Sequence, residues 1–215
     1  MAYNGLVSGG TAAYLPSLFR NYYNTWYSSY QVQETTGNSV HVHVYYYPPS
    51  TPPPYQEFDL AARGHKEVYL GNEPLPNGWR GSARVVVIGG NGQVATAIHH
   101  ASSVIGMGYQ GFKAGARDLT MPILIRNTDW QASLTVQNVG TVSTNVTVRF
   151  YNLSGTQVGG PVEIPSLAAW YSQELYSQIP NPFEGSVQVS GASADIVAAV
   201  HETHTAGRGY GYSVP

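Results

Sequence analysis

The strongest constraint on this chain is that it is written twice. AYNGLVSGGTAAYLPSLFRN, residues 2–21, returns as GYQGFKAGARDLTMPILIRN, residues 108–127. Tyr3 and Asn21 are spaced as Tyr109 and Asn127 are, at an offset of 106 residues. PNGWRGSARVVV (76–87) returns as PNPFEGSVQVS (180–190), and QVATAIHH (93–100) as DIVAAVHE (195–202). A unit that can be laid down twice in tandem must bury its own core within roughly 105 residues, the usual size of a small sandwich domain.

Within each copy the hydrophobic period is two. In SVHVHVYYY (39–47), Val40, Val42, Val44 and Tyr46 fall on one face and His41, His43 and Tyr45 on the other. In TNVTVRFY (144–151), Val146, Val148 and Phe150 point in while Thr147 and Arg149 point out. Both segments are expected to be central strands of antiparallel sheets. YQVQ (30–33) and LTVQ (134–137) precede them, each joined to its partner by a short polar turn. With six or seven strands per copy and no amphipathic helix of useful length, the expected fold is all-β: two tandem immunoglobulin-like antiparallel β-sandwiches related by duplication. LAAWYSQELYSQIP (167–180) is where a helical turn is expected, while KEVYLGNEPLP in the first copy reads as extended. The division expected is an N-terminal segment 1–12, a first sandwich 13–112 and a second 113–215.

Composition narrows the function classes. The 215 residues hold ten Lys and Arg, twelve Asp and Glu, 17 Tyr, 24 Gly, 14 Pro and no Cys. A net charge of −2 with no basic cluster leaves nothing to neutralise phosphates, so no nucleic-acid partner is expected. The absence of Cys excludes disulfides and thiolate metal sites. The longest apolar runs, such as Val85–Ile88 and Ile196–Val200, are of strand length, so the chain is not expected to be membrane-embedded. No basic and apolar secretory leader is legible in MAYNGLVSGGTAAYLP. A sparsely charged, Tyr-rich surface loses little desolvation energy when it packs against another surface, which favours association.

Sites of chemistry are sparse. His41 and His43 share a strand face and, with His99 or His100, offer imidazoles in number, but two ligands at i and i+2 read first as exposed strand residues. HETH (201–204) has its histidines three apart in a strand or turn, not four apart on a helix. GGNG (89–92) follows a strand but opens no helix, so it reads as a hairpin turn needing positive φ rather than a dinucleotide loop. Ser102, Ser103 and Ser193 lack the setting of an activated hydroxyl, and Glu57, Asp59, Glu67, Glu73 and Asp118 form no legible acid/base pair. No catalytic residue, metal or cofactor is expected. Asn145 and Asn152 satisfy the N-glycosylation pattern.

Tyr3, Asn4, Gly5, Leu15, Pro16, Asn21, Trp26 and Gln33, and again Tyr109, Gly111, Phe112, Met121, Pro122, Asn127, Trp130, Val136, Gln137 and Asn138, carry a resemblance across essentially the whole chain. The pattern resembles the tandem β-sandwich modules of secreted, surface and filament-like proteins of Chloroflexota-type bacteria. In these a Y-N-G-F strand ends one module, and an L-P-L motif, an Asn, a Trp and a V-Q-N strand open the next. Glu34 stands where the pattern has Asn. The resemblance implies a stalk, spacer or structural repeat at the cell surface or outside the cell.

The Tyr-containing closing segment occurs three times, at Tyr3–Leu6, at Tyr109–Phe112 and in GYGYSVP (209–215), whereas two modules need two. The expected role is therefore a subunit of an extracellular head-to-tail filament, its partners copies of itself. The interface residues expected are Tyr3, Asn4, Gly5, Leu6, Tyr14, Tyr22, Tyr23, Trp26, Tyr27, Tyr210 and Tyr212, with Tyr30 in the same aromatic cluster. The alternative is a non-catalytic adhesion or polysaccharide-binding module with Trp26, Tyr27 and Tyr45–Tyr47 as its platform. PPSTPPP (48–54) reads as a stiff polyproline projection.

Overall fold

The computed structural model describes residues 8–48 and 55–214, which divide after Ala114 into two compact units. The first unit holds strands β1 (Ala12–Arg20), β2 (Tyr27–Glu34), β3 (Val40–Tyr47), β4 (Tyr55–Leu60), β5 (His65–Tyr69), β6 (Trp79–Gly89), β7 (Val94–Ala101) and β8 (Gly106–Gln110). The second holds β9 (Asp118–Arg126), β10 (Trp130–Asn138), β11 (Thr144–Asn152), β12 (Val162–Leu167), β13 (Ser172–Leu175), β14 (Phe183–Gly191), β15 (Ile196–His204) and β16 (Arg208–Val214). Among the described residues each copy therefore has eight strands rather than six or seven. Residues 1–7, 49–54 and 215 lie outside the described residues, and with them the Tyr3–Leu6 segment and most of the Pro-rich stretch.

The two units repeat one topology. The first pairs a sheet of order β1-β6-β3-β4 with one of order β5-β2-β7-β8; the second pairs β9-β14-β11-β12 with β13-β10-β15-β16. All the pairings are antiparallel. These are tandem immunoglobulin-like β-sandwiches, with β3 and β11 central as their alternation requires. Inward residues of both sheets make each core: Leu15, Val32, Val42, Val44, Val85 and Ile98 are sealed in the first, and Met121, Leu134, Val146, Val148, Phe150 and Val187 in the second. Each such aliphatic side chain contributes about 1.5–3 kcal/mol on burial.

Three local expectations are corrected. The polar turn after β2 does not make a hairpin with β3, because β2 pairs with β5 and β7 while β3 lies in the other sheet. GGNG likewise carries the chain from β6 in one sheet to β7 in the other, with Gly90 at φ +86°. Alternation of apolar residues runs on through a sheet crossing as it does through a hairpin, so the pattern cannot distinguish them. The short helical turn sits in the first copy, a 3-10 turn at Leu70–Asn72, and its counterpart in the second includes the extended strand β13.

Candidate functional site

The most specific shared feature of the two units is a bulge on the first strand, closed by a tyrosine from the last. Pro16 and Pro122 lie where the β1–β6 and β9–β14 registers shift, between Leu15 and Leu18 and between Met121 and Leu124. Proline has no N–H for a ladder, so a bulge is where an otherwise regular strand can carry it. The bulge leaves backbone groups without ladder partners, and the closing strand supplies them. In the first unit the Ser17 N–H donates to the Tyr109 hydroxyl (2.9 Å), which donates in turn to the Ser17 carbonyl (2.6 Å). In the second unit the Tyr212 hydroxyl donates to the carbonyl of Ile123, the residue equivalent to Ser17. Burial pushes both phenols above their ordinary pKa, in the second case with the nearby Glu202 adding to it, so both remain donors.

Two residues further on, past the bulge, an amide is met by different chemistry in each copy. Phe19 N–H donates to Ser28 Oγ (2.7 Å), which is held by His100 Nδ1 (2.7 Å). Ile125 N–H donates to Glu202 Oε1 (2.7 Å), a carboxyl that burial raises while this amide pulls it down. Arg20 and Arg126 then fasten the loop before β6 and β14. Arg20 donates to the carbonyls of Leu70 (3.1 Å) and Leu75, and Arg126 to those of Tyr176 and Ile179 (2.6 Å each). Sequence reading passed over these arginines, although the R-N pair at the end of both repeats was the signal available.

The closing strand is an edge strand in both units. In the first it continues past β8: Gly111 N–H donates to the Thr96 carbonyl, and Phe112 and Tyr14 exchange backbone bonds at 3.0 and 2.7 Å, lacing one sheet to the other. Gly111 is required there, because a Cβ would run into Thr96 Oγ1. In the second unit Val214 takes the place of Gly111 and pairs with Ala198, which replaces Thr96. Each closing strand thus matches its own neighbour.

The expected interface residues separate into groups. Tyr3, Asn4, Gly5 and Leu6 lie outside the described residues. Tyr22 and Tyr23 come together at the turn after β1, with ring centroids 4.3 Å apart; Tyr22 stacks on Phe19 at 5.2 Å, and Tyr23 is 77% exposed. Trp26 and Tyr22 form a backbone bridge, and Tyr27 contacts Tyr69. Tyr14 is the lacing residue on β1. Tyr210 is 54% exposed and lies against Trp130, whereas the Tyr212 hydroxyl is used inside its own module. Tyr30 is a core residue, 1% exposed and hydrogen-bonded to Tyr46 at 2.7 Å. The sugar platform is divided: Trp26 and Tyr27 stand at β2, Tyr45 and Tyr47 on β3 in the other sheet, and Tyr46 is buried.

His41 and His43 face outward on β3, while His99 and His100 lie on β7 in the other sheet, so those four do not converge. Glu57, from β4, does come within reach of the first two. In HETH, His201 is buried and its pKa is lowered by that burial to about 4, and His204 packs on Trp130 at 4.8 Å. Asn152 Oδ1 accepts from the Ser154 and Thr156 amides in an exposed turn, and Asn145 Oδ1 accepts from the Ser166 amide. Among the described residues no helix is long and apolar enough to cross a membrane.

No protein-family model and no curated protein matches the chain. Among solved structures it is similar to Thermotoga maritima 1070, at 21% identity over 41% of this chain and 80% of that one, with a TM-score of 0.34. The PBSX exported protein XepA is similar at 10% identity over 96% and 83% of the two chains, with a TM-score of 0.26. A Broad Bean Stain Virus chain is similar at 8% identity over 94% and 90%, with a TM-score of 0.27. Likenesses this loose have no bearing on function, and the resemblance to Chloroflexota-type modules rests on the motifs alone. The chain is a tandem pair of β-sandwich modules.

Proposed function

We infer that the protein is a non-catalytic structural subunit that assembles head to tail outside the cell, residues 2–7 of one copy adding to the second module of another. One observation carries this reading. The two modules use two Tyr-containing closing segments, as β8 and β16, and the sequence holds a third copy of the motif at Tyr3–Leu6. On this reading the third segment adds to a module of a second copy of the chain.

The partner surface that fits is the outward edge of β16, whose ladder groups, among the described residues, have a partner strand on the β15 side alone. Addition beside β16 is favoured over its replacement, since Val214 already fills the space over Ala198 that Gly5 would leave empty. Tyr210 on β16 lies against Trp130, which stands two strands in on β10, and the pair offers an aromatic face with polar atoms at its rim. Tyr22, Tyr23, Trp26 and Tyr27 give the first module a patch of the same kind. A contact that uses different surfaces on the two partners does not close as a dimer and grows into a ring or filament.

Negative-stain electron microscopy of the protein beside a variant lacking residues 2–7 tests this directly. Filaments or rings that vanish on truncation are expected. Isolated single-chain particles in both samples at high concentration would refute assembly, and filaments that survive truncation would move the contact to the aromatic patches.

A further inference from the structure

We propose that the first module carries a surface site for a divalent transition-metal ion on the outer face of the β3–β4 hairpin, with His41, His43 and Glu57 as its protein ligands.

The register creates the cluster. His41 lies opposite Asp59 and His43 opposite Glu57. Because side chains on a strand alternate, all four project from the same face of two neighbouring strands. One ligand atom each from His41, His43 and Glu57 falls within 4.8 Å of the others. A tetrahedral ion with bonds of about 2.0–2.2 Å needs its ligands a little closer, a difference that rotation of the exposed Glu57 and the half-buried imidazoles would close without moving the backbone.

The surroundings suit metal binding. His43 Nε2 lies 3.3 Å from Glu57 Oε2, while its Nδ1 is 3.1 Å from the Tyr45 hydroxyl, a partner that fixes the ring with Nε2 toward the carboxylate. Asp59 Oδ1, 2.7 Å from His41 Nδ1, holds the second ring by its far nitrogen and leaves Nε2 to bind. A carboxylate or hydroxyl on the non-ligating nitrogen is the usual second support of a metal-bound imidazole. Two imidazoles and one carboxylate suit Zn²⁺ or Cu²⁺ and not the oxygen-seeking Ca²⁺ or Mg²⁺. Water would complete the coordination.

The second module shows that the fold does not require these residues. At the positions of His41 and His43 it has Asn145 and Thr147, and Thr147 donates to Glu163, the counterpart of Glu57, at 2.8 Å. The histidines are a property of one module; they stand on β3 and Glu57 on β4, the two strands that flank the Pro-rich segment 49–54. A bound ion would staple β3 to β4 at the base of that segment.

The test is titration of the untagged, full-length protein with Zn²⁺ in isothermal calorimetry, against a variant carrying the second module's residues, His41→Asn with His43→Thr. One ion per chain is expected at pH 7.5. The double variant should bind at least about ten-fold more weakly, and Ca²⁺ should give no heat in either protein. Glu57→Gln, a smaller change, should weaken Zn²⁺ binding in the same direction. Absence of Zn²⁺ binding by the wild type, or equal binding by wild type and a double variant whose circular dichroism is unchanged, would overturn the proposal.

Discussion

Inside the first module Tyr30 and Tyr46 face each other, where the second module has Leu134 and Phe150. The tyrosine hydroxyls lead to Glu73, 5% exposed, whose carboxyl is raised by burial and drawn down by Lys66, Tyr46 and Gln56. Gln56 completes the chain by donating to Glu73 Oε1 at 2.5 Å. The second module has hydrocarbon side chains in place of the two tyrosines and carries a buried carboxyl elsewhere, on Glu202 beside the Ile125 amide. Duplication has thus kept the backbone plan and the bulge while the means of satisfying buried polar groups drifted. Each module is a control for the other, because the residue found in one shows what the fold accepts in the other.

The largest effect should come from the closing tyrosine of the first module. Tyr109→Phe removes the partner of both the N–H and the carbonyl of Ser17 in a site that is 3% exposed. Leaving two buried backbone groups unsatisfied costs about 4 kcal/mol. Hydrogen exchange followed by mass spectrometry should show β1 and β8 opening together in this variant. Protection unchanged in β1 would show that water replaces the hydroxyl and that the tyrosine does not close the module.

Next in size is a pH effect confined to the second module. His201 is buried and its pKa is depressed to about 4, whereas its counterpart His99 is half exposed. The unfolded chain binds the proton at about pH 6.5, so between these values the unfolded state takes up more protons. Stability present at pH 7 is then lost as pH falls from about 6.5 to 4, by on the order of 3 kcal/mol, and levels off below that. Glu202 and Glu73, with raised pKa values, work in the opposite sense, being protonated in the folded state before the unfolded one. His201→Leu isolates the histidine. Its urea midpoint, relative to wild type, should rise steadily as pH is lowered from 6.5 to 4, and a constant difference would show that His201 does not remain neutral in the folded protein.

Tyr46→Phe makes a smaller change. It imports one residue of the second module's core but strands the Tyr30 hydroxyl and removes a donor to Glu73, for about 2 kcal/mol. Adding Tyr30→Leu, which completes the second module's pair, should recover part of that loss, since no hydroxyl is then left without a partner. Strict additivity in a double-mutant cycle would show that the two hydroxyls are not coupled.

The sequence disclosed the duplication, the sandwich and the inward faces of β3 and β11, because a period of two and a tandem repeat are properties of the chain itself. It did not disclose which turns cross between sheets, for the reason that alternation is blind to it. Nor did it place Tyr30, whose ring suits an interface and a core equally and whose burial depends on Tyr46 sixteen residues away. Glu34 breaks the Asn pattern of the resemblance, and the structure explains why. Asn138 donates to the carbonyls of Val142 and Leu167, whereas Glu34 accepts from the amides of Thr36, Gly37 and Arg63. Burial alone would raise the Glu34 pKa, but these donors and the Thr36 hydroxyl hold it well below the usual range. The interest of His41 and His43 was hidden for a similar reason: Glu57 reaches them through the β3–β4 register, which no local motif records.

The smallest expected effect bears most on assembly. Tyr212→Phe breaks a single bond to the Ile123 carbonyl, at a half-buried position where water can replace it, so the isolated chain should lose about 1 kcal/mol. Compared with Tyr109→Phe, this measures how much more firmly the first module is closed than the second. If residues 2–7 of another copy add along β16, that difference shrinks as concentration rises, because the added strand covers the edge that otherwise frays. Exchange of the Arg208–Val214 amides should therefore slow with concentration in the wild type and stay fixed in the protein lacking residues 2–7. Slowing in both proteins would place the contact elsewhere on the second module, with the exposed Tyr210 beside Trp130 as the next surface to alter.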